Sequence, residues 1–382
     1  MMWYVDAEAI EEIAVGAGVL GTGGGGSPYI GKLMVLRHLA AGATIPVVGP
    51  EEVADGATCV SLGGMGAPIV SVEKIWRGDE PLVAMRALER YSGRKVQYIV
   101  PQEIGGSNSL RPLAMAAQAG LPVVDGDAMG RAFPELQMNT FSIYGLECTP
   151  AAIADVRHDV ALFPKLSSTA LLERYARVVT VQMGGSVGFA FPLMSGADLK
   201  RTAIPRTLTL ARAIGRAVRR ARARHEDPIA ALLAVTGGEV LFRGKVIDVE
   251  RRMTGGFARG HSVVAGLDSD HGETRRIDFQ NENLIARSGD AAVAVVPDLI
   301  TLVDLSTAEP VTTEVVRYGL RVAVLGIPAP ALLRTTQALA VVGPRAFGYN
   351  LDYTPLAGRY GGDRLAPESG HQQEFVSNAD RG

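Results

Sequence analysis

The chain is long enough for two hydrophobic cores, because its 382 residues exceed the size at which a single core usually stops growing. Its 38 Lys and Arg residues nearly balance its 40 Asp and Glu residues, and the formal net charge of -2 excludes a general electrostatic attraction to nucleic acid. Hydrophobic residues make up 47% of the chain, but none of its apolar runs reaches the ~18 residues of a membrane span, so we expect a globular protein with no membrane partner.

The sequence favours a protein of the reducing cytoplasm. Cys59 and Cys148 are its two cysteines, and they lack the C-x-x-C spacing of a zinc site. The first residues contain neither a basic segment nor a cleavage pattern, which argues against export. Because no histidine lies near Cys148 in the sequence, a small buried side chain is favoured there over a nucleophile.

A glycine-rich segment, residues 21–26, separates two predicted helices. Apolar spacing predicts the first helix over residues 7–20, and Ser27-Pro28 is a typical start for the second. The segment satisfies the G-x-G-x-x-G pattern of dinucleotide sites, but that pattern requires a preceding strand rather than a helix. Two interpretations remain: close packing of helix ends, or a nest of backbone N–H groups that binds an anionic or carbonyl ligand. The nest would consist of Gly23, Gly24, Gly25 and Gly26.

Short apolar strands followed by paired glycines recur in the first half of the chain. Residues 58–62 lead into Gly63-Gly64, residues 96–100 lead towards Gly105-Gly106, and helical patterns fill the intervals. This alternation predicts a mainly parallel sheet with helices on its faces. We therefore expect an α/β domain over residues 1–235, with the glycine pairs at one rim of the sheet.

Acidic residues gather at the same predicted rim. The strand that ends at Val124 runs directly into Asp125-Gly126-Asp127, at the edge where open α/β sheets bind their ligands. Glu103 precedes a predicted helix at that rim, and Glu135 ends the nearby segment 131–135. An ordinary turn after the strand is the alternative for the two aspartates.

The second half of the chain has a different pattern. After residue 236, short strands alternate with turns at about ten-residue intervals, which predicts a β-rich sandwich or barrel over residues 236–342. Four consecutive polar residues, 280–283, interrupt this pattern, either as a solvated loop or as a site that reads a planar amide or imide. Residues 343–365 are expected to return to the first domain, and the polar residues 366–382 to be disordered.

Six segments carry a family resemblance, namely residues 6–28, 101–109, 124–138, 248–257, 279–286 and 343–353. Together they resemble the S-methyl-thiohydantoin desulfurase-like family. The resemblance implies an α/β N-terminal domain and a β-rich C-terminal domain. It also implies chemistry on hydantoin-like rings, because members occur fused to or beside hydantoinase- and oxoprolinase-type enzymes. The activity for which the family is named removes sulfur from a five-membered thiohydantoin ring by hydrolysis.

That reaction adds water to a C=N or C=S carbon and expels a thiol, so it requires a base, an acid and donors to the ring. We predict Asp125 or Asp127 as the base, with Glu103 or Glu135 as the acid. The predicted ring-binding residues are Gly23, Gly24, Gly25, Gly26, Asn108, Arg131, Asn281 and Glu282.

Other chemistries remain open at this stage. A divalent metal on Asp125 and Asp127 would activate the water directly, and a hard cation is favoured over zinc because the histidines are isolated from one another. We expect no nicotinamide or flavin. The chain could instead be a binding subunit of a hydantoinase-like partner, or a nucleotide-binding enzyme that uses the glycine-rich segment. A homo-oligomer is the remaining alternative for its assembly.

Overall fold

Two eight-stranded β-sheets organise the chain. The structure, a computed structural model, describes residues 2–66, 70, 74 and 76–365. It confirms the predicted fold class, an α/β first half followed by a β-rich second half. In the part of the chain that it describes, no helix has both the length and the apolar character that crossing a membrane requires.

The first half of the chain supplies the first sheet and a small ribbon. Its strands are β1 (Trp3–Tyr4), β2 (Pro46–Val48), β3 (Thr58–Gly66), β4 (Tyr98–Pro101), β5 (Val123–Val124), β6 (Gly126–Asp127), β7 (Ala151–Ala154), β8 (Val160–Phe163), β9 (Ser186–Ser195) and β10 (Ile204–Pro205). The sheet order is β1-β2-β5-β4-β3-β9-β7-β8, while β6 pairs with β10. The neighbours β2, β5, β4 and β3 are parallel, and the other pairs are antiparallel. The sheet is therefore mixed rather than mainly parallel, because β9 returns antiparallel to β3.

Helices fill the intervals between these strands, as the alternating pattern predicts. They are α1 (Ala7–Leu20), α2 (Pro28–Ala40), α3 (Glu80–Ser92), α4 (Ser107–Ala119), α5 (Thr140–Ile143), α6 (Thr169–Gln182), α7 (Gly196–Thr202), α8 (Thr207–Ala223) and α9 (Pro228–Thr236). The Asp6 carboxylate accepts a hydrogen bond from the Ala9 N–H at 2.7 Å and so caps α1. Helix α1 packs closely on α8: a Cβ at Gly16 would lie 1.9 Å from the Ala211 carbonyl oxygen. A glycine is required for this approach.

The second sheet is antiparallel and uses the strands of the second half. These are β11 (Glu239–Thr254), β12 (Phe257–Gly266), β13 (Thr274–Gln280), β14 (Glu282–Ser288), β15 (Ala291–Val295), β16 (Leu299–Asp304), β17 (Pro310–Val311) and β18 (Arg321–Ile327). Their order is β15-β14-β13-β12-β11-β18-β16-β17. The short helices α10 (Thr336–Val342) and α11 (Gly361–Leu365) follow. Short hairpin turns separate most of these strands, which explains the regular turn signals in the sequence.

The last described segment lies against the first half of the chain. The Tyr360 side chain is buried, and its hydroxyl donates a hydrogen bond to the Gly130 carbonyl oxygen at 3.4 Å. The predicted disordered tail, residues 366–382, lies outside the described residues.

Candidate functional site

A cavity lies where the carboxyl ends of β3 and β4 meet the turn between β13 and β14. We call it the central cavity; its volume is about 650 Å³ when counted out to its open mouth. Both halves of the chain contribute to its walls. Of the residues predicted from the sequence, those that line it are Gly25, Gly26, Glu103, Asn108, Glu135, Asn281 and Glu282. The fold therefore brings together residues that are far apart in the sequence.

Glu103 is a buried acid that lines the central cavity from the loop between β4 and α4. Its side chain is 5% exposed. Its Oε1 accepts a hydrogen bond from Asn108 Nδ2 at 2.6 Å, and its Oε2 accepts one from the Phe133 N–H at 3.2 Å. Burial raises the pKa of Glu103 to about 7, although these two bonds and the nearby arginines lower it. A carboxyl group with this pKa exchanges protons near neutral pH.

Glu282 faces the same cavity from the start of β14. It is 3% exposed, and its Oε2 is buried with no hydrogen-bond partner among the described residues. Burial, and after it the charge of Glu103, raises the pKa of Glu282 well above its usual value. Gly24 makes room for this carboxyl group, because a Cβ there would lie 1.9 Å from Glu282 Oε1. Glu103 and Glu282 are thus two buried acids of one cavity, and the charge of the first acts on the pKa of the second.

Two amide side chains hold the polar wall in place. Asn108 Oδ1 accepts a hydrogen bond from the Gly64 N–H at 3.0 Å, which orients its Nδ2 towards Glu103. Gln102 Oε1 accepts a hydrogen bond from Ser61 Oγ at 2.6 Å. Its Nε2 is buried in the cavity wall without a partner in the described part of the chain. The sequence analysis missed Gln102, although it lies directly after β4 and beside Glu103.

Glu135 and Asn281 lie on the same walls with different surroundings. The Glu135 carboxylate accepts hydrogen bonds from Gln137 and from Gln280, so neighbouring amides already occupy it. Asn281 has a left-handed backbone with φ of 58°, and its Oδ1 accepts a hydrogen bond from the Ala258 N–H at 2.9 Å. Asn281 therefore shapes the turn that carries Glu282 into the cavity.

The glycine-rich segment packs against the start of α4. The Gly26 carbonyl oxygen accepts a hydrogen bond from the Ser107 N–H at 3.0 Å, and that of Gly25 accepts one from the Asn108 N–H at 3.3 Å. Gly23 lies behind the cavity, where its carbonyl oxygen accepts a hydrogen bond from the Thr313 N–H at 2.8 Å. This geometry favours the close-packing interpretation of the segment. Its carbonyl groups accept hydrogen bonds from backbone N–H groups at the start of α4, which have no partner within the helix.

Asp125 does not line the central cavity. Its carboxylate accepts hydrogen bonds from the backbone N–H of Thr209, at 3.1 Å, and from the Thr209 hydroxyl. Thr209 lies in the first turn of α8, so Asp125 supplies the cap that this helix lacks from its own residues. The predicted role of Asp125 as a base or metal ligand finds no support in this arrangement, because the helix end already occupies the carboxylate.

The Asp125→Ala variant is expected to lose about 1 kcal/mol of unfolding free energy, the typical cost of a missing helix cap. Chemical denaturation of the purified variant measures this loss. Asp125→Asn keeps an oxygen acceptor for the Thr209 N–H and should lose less. Wild-type stability of the alanine variant would contradict the capping role.

Asp127 also lies behind the cavity, among backbone donors. Its Oδ2 accepts hydrogen bonds from the N–H groups of Ile104, Met129 and Gly130, at 2.8, 3.2 and 2.8 Å. These bonds hold the loop that carries Glu103, so Asp127 acts on the cavity from outside it. Burial raises the pKa of Asp127 to about 8 despite the three donors.

The raised pKa of Asp127 predicts that stability falls as pH rises. The unfolded carboxyl group releases its proton near its ordinary pKa of about 4, whereas the folded one keeps it up to about pH 8. The extra stability is therefore complete below about pH 4 and is lost as pH rises towards about 8. Denaturant unfolding between pH 5 and 8 should show a shallower decline for Asp127→Asn than for the wild type. The exposed Asp290→Asn serves as the control and should keep the wild-type slope.

Arg131 joins the two halves of the chain instead of binding a ligand. It is completely buried and does not line the central cavity. Its guanidinium donates hydrogen bonds to Thr22 Oγ1 at 2.8 Å and to the carbonyl oxygens of Asn283 and Asp298 at 2.9 and 2.8 Å. These contacts give Arg131 a structural role and leave the predicted ring-binding role without support.

The geometry of the described residues gives little support to the predicted alternative of a divalent metal ion on Asp125 and Asp127. Within residues 2–66, 70, 74 and 76–365, no group of three or more His, Cys, Asp or Glu side chains is arranged to hold a metal ion. Asp125 and the Oδ2 atom of Asp127, the predicted ligands, accept hydrogen bonds from separate sets of protein donors, and Asp127 Oδ1 is buried with no hydrogen-bond partner among the described residues. Both cysteines are buried, and Cys148 packs in an apolar cluster.

Two family models cover most of the chain. The S-Me-THD-like N-terminal domain matches residues 8–165, and the S-Me-THD-like C-terminal domain matches residues 167–356. The chain belongs to the S-Me-THD-like family. This membership confirms the resemblance found in the sequence. The central cavity of this S-Me-THD-like protein is built from both matched domains, with Glu103 from the first and Glu282 from the second. The predicted domain boundary near residue 236 stays a prediction.

The S-Me-THD-like protein is also similar to a solved structure. That crystal structure is of a protein from Chromobacterium violaceum, determined by the Northeast Structural Genomics Consortium. The two chains are 26% identical, with a TM-score of 0.78, and the similarity covers 93% of this chain and 100% of the other. A comparison with curated proteins gives no significant match.

Proposed function

We propose that this protein acts on a five-membered cyclic amide or imide ring of the thiohydantoin type and hydrolyses the bond between a ring carbon and its sulfur substituent, so that the sulfur leaves as a thiol. One observation carries the proposal: two buried carboxyl groups, Glu103 and Glu282, face one cavity, burial raises the pKa of both, and the charge of Glu103 raises that of Glu282 further. Perturbed acids of this kind are typical of sites for acid–base catalysis. Membership of the S-Me-THD-like family supports the choice of ring.

The two acids divide the proton transfers between them. Glu103, with a pKa of about 7, is substantially ionised at and above neutral pH and serves as the base. Burial and the charge of Glu103 raise the pKa of Glu282 well above its usual value, which suits Glu282 to the role of the acid. A pair with separated pKa values can supply both functions at one pH.

The proposed reaction needs water and no redox partner. For an S-methyl-thiohydantoin, the water oxygen bonds to the ring carbon that carries sulfur while Glu103 takes a proton from the water. Glu282 protonates the ring nitrogen of the C=N bond, which gives a tetrahedral intermediate. The C–S bond then breaks, the sulfur leaves as methanethiol with a proton returned from Glu103, and the ring keeps the water oxygen as a carbonyl. Glu282 recovers its proton from the hydroxyl group of the intermediate as that oxygen becomes the carbonyl.

Gln102 is proposed to stabilise the ring during this step. Its Nε2 is a buried donor in the wall of the cavity, and Ser61 holds the other end of the amide. A preorganised donor of this kind stabilises charge that develops on a ring oxygen or nitrogen. Asn108 holds Glu103 in place from the other side through its Nδ2.

The experiment that tests the proposal is an assay of thiol release from an S-methyl-thiohydantoin by the purified protein alone. Steady release with formation of the corresponding hydantoin supports a hydrolase. Release that requires an added hydantoinase-type enzyme would instead favour the binding-subunit alternative. No release under either condition would refute the proposed reaction. Nucleotide binding at the glycine-rich segment is disfavoured, because the Gly25 and Gly26 carbonyl groups cap α4.

A further inference from the structure

Arg111, on α4, lies between the central cavity and a second, larger one. We call the second the outer cavity; it is bounded by Pro28, Tyr29 and Ile30 on α2 and by Val315 opposite, and its volume is about 1560 Å³ when counted out to solvent. Arg111 and Trp76 line both cavities. The Arg111 guanidinium stacks on the Trp76 ring at 3.7 Å from its centre. These two side chains therefore form the shared wall.

Arg111 is a buried cation without an ion pair. It is 7% exposed, and no carboxylate oxygen lies within 4.0 Å of its nitrogens in the described part of the chain. Its Nη1 makes one long hydrogen bond, 3.4 Å, to Asn108 Oδ1, and its Nε is buried with no protein partner among the described residues. Burial lowers the pKa of Arg111 to about 10.

The nearest acids are already engaged. Glu80 and Glu103 favour the charged form of Arg111 from a distance. The Glu80 carboxylate accepts hydrogen bonds from the N–H groups of Arg77 and Gly78, at 2.8 and 2.9 Å. Glu103 is held by Asn108 and Phe133, as described above. Burying a guanidinium costs free energy when its charge has so few hydrogen-bond and ion-pair partners. A bound anion would supply the missing partner.

Ser107 adds a second unsatisfied group one helical turn before Arg111, on the same face of α4. Its side chain is 2% exposed, its Oγ has no hydrogen-bond partner in the described part of the chain, and it lines the outer cavity. The backbone N–H of Ser107 is taken by the Gly26 carbonyl oxygen, so its hydroxyl is the group left for a ligand.

The other cations of the outer cavity are neutralised by protein acids. Lys32 pairs with Glu11 at 3.1 Å, Arg219 pairs with Glu11 at 3.5 Å, and Arg222 pairs with Glu309 at 2.8 Å. Among the described residues that line this cavity, Arg111 thus differs from the remaining basic side chains in its lack of a carboxylate partner.

We propose that Arg111 and Ser107 bind a carboxylate carried by a substituent of the substrate ring. This inference rests on the proposed function: with the ring beside Glu103 and Glu282, a substituent that points towards α4 reaches the shared wall. Planar guanidinium and hydroxyl donors are well suited to a carboxylate. The preferred substrate is therefore a thiohydantoin with an acidic side chain, and the apolar side chains of α2 pack against its carbon atoms.

Equilibrium binding of two matched product-type ligands, hydantoin-5-acetate and hydantoin-5-acetamide, tests the subsite without any need for turnover. The two differ in charge but hardly in size. Calorimetry on the wild-type protein should show tighter binding of the acetate by about 10- to 100-fold, the range of one charge-assisted hydrogen bond. Arg111→Met should reduce the ratio to within about 2-fold, and Ser107→Ala should reduce it in part.

Arg219→Met is the matched control, because it removes a cation of the outer cavity that already has a carboxylate partner; it should keep the wild-type ratio. Equal affinities in the wild type, or a ratio that survives in Arg111→Met, would overturn the proposal, as would failure of both ligands to bind. If Arg111→Met does not fold, the ligand pair on the wild type and on Ser107→Ala still decides the matter.

Failure of this inference is distinguishable from failure of the proposed function. Thiol release at equal efficiency from charged and neutral thiohydantoins would refute the subsite and leave the hydrolase. Selective binding of the acetate ligand by a protein that releases no thiol would leave the subsite and refute the hydrolase.

Discussion

Replacing Glu103 by Gln is expected to lower the rate of thiol release by about 10²–10⁴-fold, the usual contribution of a general base. Gln has nearly the same shape as Glu and can still accept a hydrogen bond from Asn108, but it cannot take a proton from water. Steady-state kinetics at pH 8 measures the loss in kcat. Unfolding measurements are the control, because the variant changes a buried side chain. They should show that Glu103→Gln is folded under the assay conditions.

The pH profile sharpens this test. In the wild type, kcat/KM should rise with pH through about 7, because Glu103 must lose its proton to act as the base. This limb should disappear in Glu103→Gln. Glu103→Asp keeps a carboxylate but shortens its reach, so it should retain the limb with lower turnover. A wild-type rate in Glu103→Gln would remove Glu103 from the mechanism.

Replacing Arg131 by Met is expected to reduce the free energy of unfolding by about 3–5 kcal/mol, the range for breaking a buried charged network. Loss of the guanidinium leaves Thr22 Oγ1 and the carbonyl oxygens of Asn283 and Asp298 buried without that donor. Urea unfolding followed by circular dichroism measures the change. The expected effect is large because these acceptors come from both halves of the chain.

Arg252→Met is the matched control for this experiment. Arg252 lies on the surface of β11 with a side chain that is 79% exposed, so its replacement should change stability by no more than about 0.5 kcal/mol. Arg131→Lys keeps the charge but reaches fewer acceptors, and it should fall between the wild type and Arg131→Met. Equal losses in Arg131→Met and Arg252→Met would refute the structural role of Arg131.

Local signals predicted the elements of this fold well. The start of α2 at Pro28 and the cap of α1 at Asp6 follow from the preferences of single residues. The change to short strands after residue 236 also appears in the structure, where β11 begins at Glu239. Glu103 was placed correctly on the loop before α4, although the N-cap of that helix is Gly106 and no side chain caps it.

The composition of the site was harder to predict. Asp125 and Asp127 follow a strand end, as ligand-binding acids often do, but their carboxylates accept hydrogen bonds from segments that are remote in the sequence. Asp125 accepts a hydrogen bond from the Thr209 N–H, and Asp127 accepts one from the Ile104 N–H. Glu282 reaches Glu103 from the other half of the chain, and the sequence alone suggested no pairing between the two.

The amino-acid sequence by itself determined where helices and strands begin, which residues are apolar enough for the two sheets, and to which family the chain belongs. These properties depend on neighbours within a few residues or on the overall order of motifs. Only the tertiary structure decided which acids share a cavity and which ones cap a helix or hold a loop. The reason is physical: the burial and the hydrogen bonds that set a carboxyl group's pKa come from segments that meet only when the chain folds.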